Sequence, residues 1–477
     1  VSAAVSDASF AARRQAALGD ADLRDALGNI QTHLVEGRRR ALADVPQFDA
    51  LRDEASRIKT HALDHLDIYL EQFAAAVTTA GGHVHWADTG ADAKAIIQTL
   101  CESVQARAIV KGKSMVSEEI ELSSFLEAQG YQVVETDLGE YIIQLREDRP
   151  SHIVAPAVHL KRGHYADAFR AHHTALPPDR DIAEPEQLLA EARAILREKF
   201  LGADVGITGA NFLVAETGSA VVVTNEGNAD LAMTLPKVHI VLATLEKVVP
   251  TLDDALTLVR VLARSATGQA ISAYTTVVSA PGKDTAVAGP EQFHVVLLNN
   301  GRTDLLQGRE RPMLKCIRCG ACMNHCPVYG AIGGHAYGWV YPGPMGSVLS
   351  PTLDGRAAHR ELPHASTFCG RCDSVCPVRI PLTSLLRGLR DEQSATGLAA
   401  PWPRRWLRLW GWMVLRPRLY RTVVSLGARW VRIGTSGRLR RLPFLRGWFD
   451  SRDLPAPAAQ SFRSLWAARQ AGRGTPS

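Results

Sequence analysis

The sequence predicts an α/β body, then a mainly helical cysteine-rich domain, then a basic, tryptophan-rich extension. Three observations carry this. Short apolar runs alternate with helical periodicity between about residues 80 and 300, the signature of a parallel sheet flanked by helices. Seven of the eight cysteines fall in two short runs between Cys316 and Cys376. From Pro401 onward there are 16 Arg, no Lys, 2 Asp and seven of the nine tryptophans. The expected division is residues 1–75 as a helical N-terminal segment, 76–302 as the α/β domain, 303–395 as the cysteine domain and 396–477 as the extension.

In the first segment, Leu51, Ile58, Leu63, Leu66 and Leu70 recur at helical spacing. The pattern then changes. His83–Ala87, Ala108–Val110, Gln132–Glu135 and Ile153–Ala155 read as short buried strands, separated by helices near Ala91–Val104, Ser117–Gln129 and Glu186–Phe200. Val205–Thr208, Leu213–Glu216, Ala220–Thr224 and Val238–Ala243 follow closely, with Gly218, Gly227 and Asn228 as turn signals. Asp253–Ala263 returns to helix, and His294–Leu298 reads as a last buried strand.

The first cysteine run is Cys316-Ile-Arg-Cys319-Gly-Ala-Cys322-Met-Asn-His-Cys326-Pro327. Its C-x₂-C-x₂-C-x₃-C-P spacing is that of bacterial iron–sulfur ferredoxins, because soft thiolates two residues apart can wrap three corners of a cubane. The second run, Cys369-Gly-Arg-Cys372-Asp-Ser-Val-Cys376-Pro377, ends alike but lacks the first cysteine. A zinc ribbon needs two separated pairs and neither the third close cysteine nor the Cys-Pro endings. A disulfide framework fits poorly with thiols so concentrated in a long chain.

In two-cluster ferredoxins the fourth cysteine of each run ligates the other cluster. Applied here, Cys316, Cys319, Cys322 and Cys376 hold the first cluster, and Cys326, Cys369 and Cys372 the second. Ser366 stands where the second run's first cysteine would be. The second cluster is therefore expected to be three-iron, or four-iron with a serinate or solvent ligand, or completed from elsewhere; 4Fe-4S is the leading form for both. His325, His335, His359 and His364 are nearby candidates better read as surface or hydrogen-bonding groups. Cys101 reads as a small buried apolar residue.

With 46% hydrophobic and 22% charged residues, the composition is globular. No run of 18 uncharged apolar residues exists, so no spanning helix is expected. The N-terminus has no apolar signal core, and clustered reduced thiols suit the cytoplasm. The net charge of +5 divides into +14 from Pro401 onward and −9 before it. Arginine interleaved with tryptophan suits docking onto a protein partner first, contact with the inner membrane surface second, and nucleic acid least.

Lys111-Gly-Lys113-Ser114 suggests phosphate binding, although the Walker pattern is absent. Glu135, Asp137 and Glu140 form an acidic group that reads as a solvated strand end, with cation binding as the alternative. Ala215-Glu216-Thr217-Gly218 reads as a charged hairpin turn. No G-x-G-x-x-G opens a helix, which argues against a Rossmann dinucleotide site. No acid–base pair or activated nucleophile stands out, so no catalytic residue is assigned.

Longer stretches add a resemblance. Val110-Lys-Gly-Lys-Ser-Met-Val-Ser-Glu-Glu119, Glu135-Thr-Asp-Leu-Gly-Glu-Tyr-Ile-Ile-Gln144, Pro150-Ser-His-Ile-Val-Ala-Pro-Ala-Val-His159 and Ile207-Thr-Gly-Ala-Asn-Phe-Leu-Val-Ala-Glu-Thr-Gly218 look like the lactate-utilisation (LUD) domain. Gly333-Gly-His-Ala-Tyr-Gly-Trp-Val-Tyr-Pro-Gly-Pro344 and Asp453-Leu-Pro-Ala-Pro-Ala-Ala-Gln-Ser-Phe-Arg463 resemble the iron–sulfur component of the bacterial L-lactate utilisation system. The resemblance implies a ribose-5-phosphate isomerase/CoA-transferase-like LUD fold before a two-cluster ferredoxin domain. It also implies a cysteine-rich partner subunit, a second LUD-type subunit and oxidation of L-lactate to pyruvate, with the three-cysteine second run normal for the family. Alternatives are electron transfer for another 2-hydroxy acid or a heterodisulfide-type oxidoreductase, and a regulatory protein sensing through its clusters.

Overall fold

The computed structural model describes residues 8–281, 289–398, 401–433, 438–439, 449 and 453–471. The described residues up to Gln393 form one compact unit, and those from Ser394 on form another.

Among the described residues of the first unit, ten strands build two sheets. They are β1 (His83–Ala87), β2 (Ala108–Lys111), β3 (Gln132–Glu135), β4 (Val205–Thr208), β5 (Phe212–Val214), β6 (Ser219–Thr224), β7 (Val238–Thr244), β8 (Val248–Val249), β9 (Tyr274–Val278) and β10 (Gln292–Leu298). The larger sheet has the order β1-β10-β7-β4-β2-β3 and is parallel throughout. Every residue of β4 and β7 is buried, as expected of central strands covered on both faces. Ile97, Cys101, Ile109, Ile207 and Ile240 pack on one side; Phe73, Val241, Phe293 and Val295 pack on the other. Cys101 is wholly buried in this core.

The smaller sheet has the order β8-β5-β6-β9. Ala215–Gly218 joins β5 to β6 as an antiparallel hairpin, as the sequence suggested. Glu216 at its tip accepts a hydrogen bond from Leu252 N at 2.8 Å, holding the start of the helix Leu252–Ala266.

The cysteine region shares a core with other parts of the chain. Phe48, Ala55 and Ile58 of the helix Phe48–Asp64, Phe212 and Val221 of the smaller sheet, Leu258 and Leu262 of Leu252–Ala266, and Met313, Tyr329, Met345 and Leu386 form one buried cluster.

Four expectations are corrected. Ile153–Ala155 forms no strand; residues 151–159 are a succession of bends and turns. Pro150 and Pro156 lack N–H donors, and the N–H groups of Val154 and Ala155 donate to His152 Nδ1 at 3.1 and 3.0 Å. The single helix expected over Ser117–Gln129 is two, Met115–Glu119 and Leu122–Ala128, broken where Glu121 takes a left-handed conformation (φ 51°). The acidic group after β3 is not solvated: Glu135 and Glu140 are 6% and 2% exposed. Lys111, read as a possible phosphate ligand, is 0% exposed and bridged to Glu118 and Glu135.

In the second unit the helices Pro401–Val414 and Pro417–Ile433 follow a proline start each, and Phe462–Ala471 stands further on. Trp402, Trp406, Trp410, Trp412, Trp430 and Trp466 are exposed; Trp448 lies outside the described residues. Among the described residues no helix is long and apolar enough to cross a membrane.

Candidate iron–sulfur centre

The two cysteine runs repeat one backbone device at an offset of 50 residues. In each, a residue at positive φ (Arg318 at 58°, Phe368 at 54°) precedes a cysteine. A left-handed glycine then follows (Gly320 at 74°, Gly370 at 76°) and opens a short helix, Ala321–Asn324 or Arg371–Val375. Only glycine takes that conformation without strain, and a Cβ on Gly320 would also press on Val154 and His152. The device turns the chain sharply enough for cysteines three residues apart to face one centre. In this repeat Ser366 occupies the place of Cys316.

Cys316, Cys319, Cys322 and Cys376 line one cavity whose other walls include Ile153, Met313, Ile317, Met345, Val378 and Leu382. Cys376 therefore joins the three cysteines of the other run. Burial raises the pKa of Cys319, Cys322 and Cys376, and charge repulsion from thiolates in the same group adds to it. Four soft sulfurs converging in an apolar cavity cannot all ionise without a positive centre among them. Those are the conditions that an iron–sulfur cluster meets, so the residues present fit that group.

The remaining three cysteines also associate. Cys326 interacts electrostatically with Cys369, and Cys372 with Cys326. Burial raises Cys326, and pushes Cys372 up to about 12. Cys369 is exposed and its pKa is lowered, first by the N–H of Arg371 and then by the Thr367 hydroxyl. Cys322 also feels Cys372, so the two groups adjoin. Ser366 Oγ accepts from Phe368 N at 3.2 Å; the hydroxyl that reaches Cys369 is that of Thr367. The four nearby histidines are engaged: His325 with Ala321 O, His335 with Arg149 O, His359 with Asp354 and His364 with Gln393.

Distant elements hold the runs in place. Arg52, on Phe48–Asp64, donates to Cys376 O at 2.8 and 3.0 Å and to Ser374 O at 2.7 Å, while Arg38 donates to Val375 O at 3.2 Å. These guanidiniums satisfy carbonyls at the end of the short second-run helix, where a positive charge is also favoured. His152 Nδ1 accepts two N–H bonds, so Nε2 carries the proton and donates to Asn324 Oδ1 at 2.8 Å. Burial lowers the His152 pKa to about 4, keeping the ring neutral.

Several cations act on the first group of cysteines. Lys59, Lys247 and Arg318 interact with Cys316, Lys315 with Cys376, and Arg38 with both Cys319 and Cys376. Burial lowers the pKa of Lys59 and Lys247 to about 8. Glu246 balances part of this charge and is held at about 2; burial opposes its ionisation, but Arg302 and Arg318 outweigh that. Arg302 bridges Glu246 at 3.1 Å and Glu119 at 2.7 Å, and the Tyr341 hydroxyl donates to Glu119 at 2.6 Å. Lys59 and Lys247 lie far in sequence from the cysteines, and no local pattern marks them as neighbours.

Three family models match the chain: the LUD domain over residues 70–298, the 4Fe-4S dicluster domain over 312–380 and "Lactate utilisation protein B, C-terminal" over 403–471. "Lactate utilization protein B" of Shouchella clausii is 42% identical, covering 98% of each chain. The chain belongs to the lactate utilization protein B family. The relative of that name from Anoxybacillus flavithermus is 43% identical over 92% of this chain and 93% of its own. "Uncharacterized electron transport protein YkgF" of Escherichia coli is 41% identical over 98% of each. With the dicluster match lying across Cys316–Cys376, the chain is an iron–sulfur protein.

Proposed function

We propose that this chain is the iron–sulfur electron-transfer subunit of a complex that oxidises L-lactate to pyruvate. The observation that carries the reading is the cavity joining Cys376 to Cys316, Cys319 and Cys322, which supports crosswise ligation of two adjoining clusters. Cys326, Cys369 and Cys372 hold the second, and its fourth position falls to Ser366, Thr367 or solvent. Conversion of lactate to pyruvate releases two electrons and two protons. When bound, each cluster supplies a one-electron site. The chain's own part is to fix the sulfurs, exclude water with Ile153, Met313 and Leu382, and set a positive field through Lys59, Lys247 and Arg318. Its LUD part, residues 76–302, takes the ribose-5-phosphate isomerase/CoA-transferase-like fold, with 303–395 as the ferredoxin part.

The partners are a cysteine-rich subunit and a second LUD-type subunit, in the cytoplasm. The exposed tryptophans and arginines of residues 396–477 form the docking element. Iron and sulfide analysis with cryogenic EPR of anaerobically purified protein should give two interacting clusters, reduced by L-lactate only when all three subunits are combined. Turnover by this chain alone, or clusters indifferent to lactate in the full complex, would overturn the reading. Binding of the single chain to anionic vesicles would instead assign the extension to a membrane surface.

A further inference from the structure

Away from the cysteines, the carboxyl ends of β2 and β3 bring Lys111, Glu118, Glu135 and Glu140 together. Glu140 is aimed inward by its helix, Leu138–Leu145, whose N-cap Asp137 accepts the Glu140 N–H at 3.2 Å. Lys111 is wholly buried, and Glu135 and Glu140 are nearly so. All three protons of the Lys111 ammonium are engaged: with Ser117 Oγ at 2.8 Å, Glu118 Oε1 at 3.1 Å and Glu135 Oε1 at 2.9 Å. That leaves Glu135 Oε2 and both oxygens of Glu140 buried without a hydrogen-bond partner.

An orphaned buried carboxylate is among the most costly groups a protein can hold. Here three such oxygens are concentrated in one place. One oxygen each from Glu118, Glu135 and Glu140 lie within 4.8 Å of one another. When all three are ionised, the carboxylates and the one ammonium carry a net charge of −2, which a divalent cation neutralises. The donor set is oxygen alone, which selects a hard cation over zinc or copper. Glu118, with 23% of its side chain exposed, gives the ion a path from solvent.

We propose that Glu118, Glu135 and Glu140 form a binding site for a hard divalent cation of the Mg²⁺, Mn²⁺ or Ca²⁺ class, with Lys111 as the fixed counter-charge beside it. The site shares no residue with the cavity of the first cysteine group. It sits at the carboxyl ends of parallel strands, where open α/β sheets present ligands. These carboxylates raise the pKa of Lys111 against burial, and burial raises that of Glu140 well above the ordinary range, so a cation there competes with a proton.

The test is a Mn²⁺ titration of the full-length, cluster-loaded protein, freed of adventitious metal and followed by the room-temperature EPR signal of free Mn²⁺. Wild type should take up one Mn²⁺ per chain, displaced by Mg²⁺ or Ca²⁺. Glu140→Gln and Glu118→Gln should each weaken uptake by roughly tenfold or more, with iron and sulfide content unchanged. Glu118→Gln decides the matter alone if the buried variant does not fold. The absence of saturable uptake, or equal uptake by wild type and Glu118→Gln, would overturn the proposal. So would a Glu140→Gln protein that is more heat-stable than wild type with Mn²⁺ stabilising neither, for then a proton held between Glu135 and Glu140 is the neutralising species.

Discussion

Cys376 separates two wiring schemes at the level of one atom. If each run served its own cluster, Cys376→Ala would damage the second centre. Because Cys376 lines the cavity of Cys316, Cys319 and Cys322, the variant is expected to lose the first cluster's EPR signal and keep the second's. Lys247 acts through charge: Lys247→Met should lower the first cluster's midpoint potential in an EPR-monitored redox titration, since a nearby cation favours the added electron. An unchanged potential would mean that solvent or Glu246 already screens it. His239 gives a pH dependence. It is wholly buried, bonded to Thr208 Oγ1 at 2.8 Å, and its pKa is lowered to about 3 by burial. Between its ordinary value near 6.5 and that lowered value, the unfolded chain binds a proton that the folded chain refuses. Stability is therefore complete above about pH 6.5 and falls below it by about 1.4 kcal/mol per pH unit for this ring. His239→Gln should flatten the pH dependence of the urea midpoint measured between pH 7 and 5.

At the scale of elements, the helix Phe48–Asp64 clamps the second cysteine run through Arg52. Arg52→Met strands the carbonyls of Ser374 and Cys376 and should cost roughly 2–4 kcal/mol, read as a lower denaturation midpoint with early loss of iron. Gly206 in β4 marks a close approach, since a Cβ there would lie 1.8 Å from Ala232 O. Gly206→Ala is expected to exceed the ~1–3 kcal/mol of ordinary overpacking and leave little soluble protein. The central strands were legible because Val205–Thr208 and Val238–Ala243 are short β-branched runs bounded by turn residues. The spacing of the cysteines placed Cys376 with Cys316, Cys319 and Cys322, and these four line one cavity. The bends at 151–159 were not legible, because His152 takes the N–H groups that a neighbouring strand would have bonded, and a lone histidine carries no such signal. Nor did the sequence reveal that Glu135 and Glu140 are buried, since their counter-charge Lys111 lies on another strand, in a stretch that suggested phosphate binding. The helices Leu138–Leu145 and Arg162–His172 went unread between stronger patterns.

At the scale of the whole molecule, the two units differ in kind. The first has extensive buried clusters, whereas the described side chains of Pro401–Val414, Pro417–Ile433 and Phe462–Ala471 include no buried residue. A chain ending at Gln393 is therefore expected to keep its iron content and denaturation midpoint, yet to lose association with the partner subunits in a pull-down. Retained association would remove the docking role from the extension. The shared interior has a further consequence. Because Phe48 and Ile58 pack in the same cluster as Cys319, Cys326, Cys372 and Cys376, any group bound by those thiols stabilises the N-terminal helices by mass action. Under iron starvation the empty chain would open more often, and proteolysis of the open form would lower its abundance. Turnover could then match the amount of this protein to the iron supply, without any dedicated sensor.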